Sequence, residues 1–167
     1  MLLKACVVFD TRYGNTEKIA KSLQTGLTES GVQTLCVSAR DVVIDSLKEF
    51  DLICVGAPTE WMTASKPMKE FLGKLKAAKL SGKCGFAFDT KLDRPLSGSA
   101  AKFIEKELRN MGIRVVVPRE TATVFLVNGK VGDAYLKEGE VERFRQIGAT
   151  VGRAVAEYDA AHQDQRL

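Results

Sequence analysis

KACVVFDTRYGNTEKIAKSLQTGL, residues 4–27, passes from an apolar run through a polar turn into helical periodicity. The run Ala5–Phe9 is continuously hydrophobic, as a strand covered on both faces must be. Beyond the turn, Ile19, Ala20, Leu23 and Leu27 fall on one helical stripe, which is the face a helix lays on a sheet. A buried strand that enters an amphipathic helix through a short turn is the first half of a βαβ unit.

The alternation continues along the chain. Strands are predicted at Lys4–Asp10, Val32–Ala39, Asp51–Pro58, Lys83–Asp89 and Arg114–Pro118, the first, third and fourth being apolar enough to be central. Further helical stripes run through Met68, Phe71, Leu72 and Leu75, through Ala101, Ile104, Leu108 and Met111, and through Val141, Phe144, Val151 and Val155, with a shorter helical turn at Asp45–Phe50. The expected fold is therefore α/β: a five-stranded parallel sheet with helices on both faces. Glu120–Asp133 is less regular, and its Asn128-Gly129 pair is a hairpin signal, so it reads as an extension or second piece of the last strand.

Composition narrows the function classes. The 167 residues predict one domain, and 45% hydrophobic with 28% charged residues excludes a collagenous, low-complexity or disordered chain. No apolar run approaches the length of a membrane span, and no small-residue cleavage site follows the first residues, so a cytoplasmic location without membrane insertion is expected. Cys6, Cys36, Cys54 and Cys84 stand singly in apolar segments, which predicts buried thiols in a reducing compartment and no metal site. The net charge of +4 comes without an Arg/Lys block or an aromatic-interleaved basic stripe, so nucleic acid is not an expected partner. The domain is read as residues 1–159, with a polar, frayed tail at 160–167 in which His162 is solvated.

The chemistry is expected where strands give way to helices. Asp10-Thr11-Arg12-Tyr13-Gly14-Asn15-Thr16 gathers hydroxyls, an amide and free backbone N–H groups at a helix N-terminus, a place that binds phosphate. An ordinary helix start capped by Asn15 or Thr16, with Lys18 solvated, would leave the same residues. The segment is neither a Walker loop nor a dinucleotide fingerprint, because it lacks GK[ST] and GxGxxG. Gly56-Ala57-Pro58-Thr59-Glu60-Trp61-Met62-Thr63-Ala64-Ser65 places the single Trp after the third strand. In sheet order 2-1-3-4-5 both segments open into one crevice at the switch point. Trp61 is then placed to stack on a planar ring system, and a core position is the alternative. Asp89–Ser97 leaves the fourth strand into the same crevice, although alone it reads as a solvated turn.

The three segments, in this order and separation, resemble the flavodoxin family over about Leu3–Tyr158. TRYGNTEKIA is similar to the family's phosphate loop, GAPTEW with KPMKEFLGKL to its flavin loop and following helix, and IEKELRNMG to a later helix. The resemblance implies a flavodoxin-like three-layer sandwich and a noncovalent FMN. It implies phosphate held by Thr11, Arg12, Tyr13, Gly14, Asn15 and Thr16. Pro58, Thr59, Glu60, Trp61, Met62 and Thr63 would meet the ribityl chain and isoalloxazine, and Asp89, Thr90 and Lys91 the pyrimidine edge. The function implied is an electron carrier passing low-potential electrons between redox partner proteins. A small NAD(P)H- or quinone-linked FMN oxidoreductase is the alternative, favoured by Tyr13 in the first loop.

Departures from the family pattern also carry expectations. Lys91 and Arg94 stand where an acid and a stacking Tyr are common, which leaves one flavin face open and favours an anionic reduced flavin. Glu60–Ser65 contains no Gly, so a backbone flip that stabilises the blue one-electron form is disfavoured. A response-regulator-like signalling domain is disfavoured because Pro58-Thr59 occupies the position its acceptor Asp requires. A module that has lost FMN is the remaining alternative, decided by the colour of the purified protein.

Overall fold

The computed structural model describes residues 2–166. Strand β1 (Lys4–Phe9) leads into helix α1 (Asn15–Glu29), and β2 (Gln33–Ser38) is followed by a 3-10 helix at Ile44–Glu49. Strand β3 (Leu52–Glu60) turns back on the short β4 (Thr63–Ala64), and helix α2 (Lys66–Ala77) leads to β5 (Cys84–Leu92). Helix α3 (Ala100–Asn110), strands β6 (Arg114–Val115), β7 (Glu120–Val127) and β8 (Lys130–Leu136), and helix α4 (Glu140–His162) complete the chain.

The sheet order is β2-β1-β3-β5-β7-β8, parallel from β2 through β7, which is the expected 2-1-3-4-5 topology with an antiparallel strand added at one edge. It has eight strands where five were expected, because two hairpins and a divided fifth strand add to the parallel core. The fifth strand lies further along the chain than the apolar run Arg114–Pro118 suggests. β6 pairs with the start of β5, and β7 takes over from Phe88 to Leu92. Pro118 falls between the two pieces, and without an N–H it cannot continue a ladder. The Asn128-Gly129 hairpin forms as its sequence signals, with positive φ at both residues.

Apolar side chains divide between the two faces as their alternation dictates. Ile53, Val55 and Ala87 meet Met68, Leu72 and Leu75 of α2 and Ile104 and Leu108 of α3. Val7, Phe86 and Phe88 meet Ile19 and Leu23 of α1 and Phe144, Val151 and Val155 of α4. Burying each Leu or Ile stabilises by roughly 1.5–3 kcal/mol. Val141, read as part of the α4 stripe, is half exposed, and Glu140 is the buried residue of that turn. Burial raises the proton affinity of Glu140, but hydrogen bonds from Arg143 and the Thr123 N–H outweigh it and hold the carboxylate below its usual range.

Helices α1 and α4 meet backbone to backbone. A Cβ added at Gly26 would collide with the Arg145 carbonyl, and one at Gly148 with the Leu23 carbonyl. α4 continues to His162, whose ring stacks on Tyr158 at 4.0 Å between centroids and whose Nδ1 lies 2.8 Å from the Tyr158 carbonyl oxygen.

Candidate functional site

The carboxyl ends of β1, β3 and β5 open into a solvent-facing cleft. Thr11, Tyr13 and Asn15 line one end, Pro58, Thr59 and Glu60 one wall, and Thr90, Lys91 and Leu92 the other, with Val124 of β7 behind. A second groove, lined by Trp61, Arg94, Leu96 and Ser97, shares Thr59, Lys91 and Leu92 with the first, so the two form one elongated depression.

At the first end, α1 begins without a side-chain cap. The N-cap residue is Gly14, at φ 93°, rather than Asn15 or Thr16. The Thr11 Oγ1 accepts the Gly14 N–H at 3.0 Å, and the first helical bond runs from the Lys18 N–H to the Gly14 carbonyl at 3.1 Å. Among the described residues, the N–H groups of Asn15, Thr16 and Glu17 have no acceptor, which is how a helix start presents itself to an anion.

The side chains of this turn are largely engaged elsewhere. The Asn15 amide donates to the Ala134 carbonyl at 2.8 Å, tying α1 to β8. The Thr16 and Thr90 hydroxyls are hydrogen-bonded at 2.7 Å in a buried position. The Arg12 guanidinium lies 3.8 Å from the Glu60 carboxylate and 5.5 Å from the Tyr13 ring centroid. The open donors of this turn are therefore the three backbone N–H groups and the Thr11 O–H, while the Asn15 amide and the Thr16 hydroxyl are engaged.

The second end is a strained hairpin. β3 runs on through Pro58, Thr59 and Glu60, Glu60 pairs with Thr63, and Trp61 and Met62 form a two-residue turn with φ 49° and 69°. Turns of this kind need positive φ at both central residues and normally use Asn-Gly, because each non-Gly residue costs about 1–2 kcal/mol. The turn leaves Trp61 96% exposed, at the tip of the hairpin and outside the core. Met62 bridges to Gly98, where φ is 71° and a Cβ would overlap the Met62 backbone. The Lys91 ammonium donates to the Gly98 carbonyl at 3.1 Å. The flavin-loop and third-loop segments are thus fastened to each other.

Asp89 does not line the cleft. Its carboxylate is fully buried, and Oδ2 accepts from the Thr59 hydroxyl at 3.0 Å, the Ser99 hydroxyl at 2.8 Å and the Ala101 N–H at 3.0 Å. Asp89 therefore fixes the start of α3 and holds the cleft wall from behind. Asp10 acts similarly, accepting from the Ser65 hydroxyl at 2.6 Å just before α2. Asp89, Thr90 and Lys91 belong to β5 rather than to a loop, because β7 pairs with them.

The sequence reading omitted Val124 and Gly98 from the site. Pairing of TATVFLV beside the fourth strand would have found Val124, but nothing local marks Gly98 as touching Met62. Cys6 and Cys54 are buried and Cys36 half-buried. Burial and the neighbouring Cys36 push Cys6 up to about 12; burial pushes Cys36 up to about 11, eased by Lys21, and raises Cys54 as well. These thiols are neutral near pH 7 and take no part in the cleft. Among the described residues no cluster of His, Cys, Asp or Glu is arranged to hold a metal ion, and no helix is long and apolar enough to cross a membrane.

Comparison with known proteins agrees with this geometry. The flavodoxin family model matches residues 7–164. A flavodoxin from Clostridium saccharobutylicum is 32% identical over 91 residues, which are 53% of this chain and 56% of that protein. A nitric oxide reductase from Moorella thermoacetica is 24% identical over 158 residues, 92% of this chain but 37% of that protein. The chain thus spans less than two thirds of the curated relatives it matches. A solved flavodoxin from the domain Archaea superposes with a TM-score of 0.77 at 27% identity, covering 92% of this chain and 99% of that one.

Proposed function

The chain belongs to the flavodoxin family, whose members bind FMN, and from that premise we propose that it is a cytoplasmic electron carrier passing low-potential electrons between redox partner proteins. When bound, FMN supplies one- or two-electron transfer. The observation that carries the reading is the continuity of the depression from the uncapped start of α1 to the Trp61 hairpin. A phosphate end, a polar waist and an exposed indole follow one another in the order of a flavin mononucleotide's parts, so the residues present fit the group.

In this reading the N–H groups of Asn15, Thr16 and Glu17 hold the phosphate, with the macrodipole of α1 adding attraction. Gly14 keeps the approach open, since nothing lies within 4 Å of where its Cβ would be. Thr59, oriented by Asp89 and by the Ala100 N–H at 2.9 Å, presents its backbone to the waist. Trp61 would cover one ring face and shield it from water. Lys91, held by the Gly98 carbonyl, and Arg94 place positive charge near the other end, which favours negative charge on the ring system.

The test is uptake of FMN by the purified chain, followed by quenching of flavin fluorescence and by calorimetry. One equivalent bound supports the reading, and no uptake overturns it. The 96% exposure of Trp61 and the absence of an aromatic opposite it in the third loop favour the alternative of an NAD(P)H- or quinone-linked reductase. Bleaching of the bound flavin by NAD(P)H under argon would select that alternative.

A further inference from the structure

While α2 and α3 turn their apolar stripes to the sheet, their outer faces carry Lys66, Lys69, Lys74, Lys76, Lys102 and Lys106, all exposed. None of these six forms an ion pair among the described residues. The Lys69 ammonium lies 5.1 Å from the Phe103 ring centroid, so the charges of the two helices meet on one surface. Residues 66–83 and 100–110 hold nine Lys and Arg against three Glu, whereas the rest of the chain holds sixteen against eighteen Asp and Glu. The whole positive charge of the protein therefore sits on this layer. On the opposite layer many of the charges are paired, Lys21 with Glu17, Arg143 with Glu120 and Glu140, and Arg145 with Glu29 and Glu142.

Local stability accounts for Lys74 and Lys76, which lie in the last turn of α2, but not for the rest of the arrangement. Lys66, Lys69 and Lys102 stand in the first turns of α2 and α3, where the positive end of the helix dipole repels a cation. Both of those ends lie at the mouth of the cleft, α2 starting just after the Trp61 hairpin and α3 just after Gly98. No large apolar side chain is exposed on either helix. The surface therefore lacks the apolar anchors of a stable interface or of membrane insertion, and the aromatics that stack on bases. What it offers is long-range attraction without adhesion, which suits a brief encounter.

We propose that the α2–α3 face is the docking surface for an acidic electron-transfer protein, which it steers to the cleft mouth. The inference rests on the electron-carrier reading and names the chemistry of the partner.

The experiment compares the FMN-loaded chain with the variant K69Q/K74Q/K76Q/K106Q, whose positions lie outside the cleft. Flavin fluorescence quenching first establishes FMN uptake by each. Calorimetry then measures binding of a plant-type [2Fe–2S] ferredoxin, as acidic probe, and of cytochrome c, as basic probe, at ionic strengths where the screening length is about 30 Å and about 8 Å. The expected result is ferredoxin binding that weakens about tenfold or more with salt and that falls about tenfold in the variant at low salt. FMN uptake is expected to be unchanged and cytochrome c not retained. Equal affinity of variant and parent for ferredoxin overturns the proposal. So does tighter binding to phosphatidylserine-containing vesicles, or to a DNA duplex, than to ferredoxin. Absence of FMN uptake by the parent overturns the carrier reading instead, and ferredoxin binding by the unloaded chain still decides the surface.

Discussion

Gly98→Ala probes the fastening between the two loops proposed to grip the flavin. At φ 71° an alanine costs roughly 1 kcal/mol relative to glycine. Its methyl group would also overlap the carbonyl and Cα of Met62, so the Met62–Gly98 bridge must part, at a further cost of about 1 kcal/mol for the lost contact. The φ strain is carried with or without FMN, and only the overlap with Met62, which a shift of the Trp61 hairpin relieves in the unloaded protein, is expected to fall on the bound state. About 1 kcal/mol is a weakening of FMN binding by roughly fivefold. Fluorescence quenching titration measures the affinity, and urea unfolding of the unloaded protein measures stability, which is expected to fall by about 1 kcal/mol. Unchanged affinity, or a full 2 kcal/mol loss in the unloaded protein, would refute the reasoning.

Other outcomes follow from the same contacts. Asp89→Ala removes the acceptor of three hydrogen bonds and is expected to destabilise the unloaded protein by about 3 kcal/mol in urea unfolding; a loss below about 1 kcal/mol would show that the carboxylate does not anchor the α3 start. The raised thiols make stability full below pH 9, the value of a free thiol, and decreasing as pH rises toward 12, where Cys6 ionises in the folded protein. The slope is up to about 1.4 kcal/mol per pH unit for each thiol, visible as a falling melting temperature that flattens in C6A/C36A; an identical pH profile in that variant contradicts it. With Met62 pinned to Gly98 and no glycine in the turn, anaerobic reductive titration of the FMN-loaded protein is expected to show little long-wavelength absorbance of the blue one-electron form, and near-complete blue colour would overturn the expectation.

The legible parts of the fold were those written in local periodicity. β1 and α1 follow directly from residues 4–27, since burial on both strand faces and on one helix stripe leaves the same mark in any sequence. The displaced fifth strand was obscured because an apolar run that ends in Pro118 looks like a strand, while the pairing that matters is chosen by the ladder along Phe88–Leu92. The Trp61–Met62 turn was hidden for a different reason. Neither residue signals positive φ, and only the pairing of Glu60 with Thr63 forces it. Asp89 was expected at the pyrimidine edge of the flavin, but its carboxylate is buried behind the wall, a placement that depends on where α3 begins and that spacing alone does not reveal. The lysines of α2 and α3 carried no signal in the sequence, because only the fold sets the outer faces of the two helices on one surface.

The glycine seam between α1 and α4 has a bearing on how a ligand enters. With Gly26 and Gly148 letting two main chains touch, the element carrying the open amide turn is bolted to the longest helix of the molecule, and Asn15 adds a rivet to β8. The opposite jaw is a two-residue hairpin tied at its tip by the Met62–Gly98 bridge. In the proposed reading the nucleotide's charged tail would meet the doubly braced element, and its ring system the jaw held at the tip.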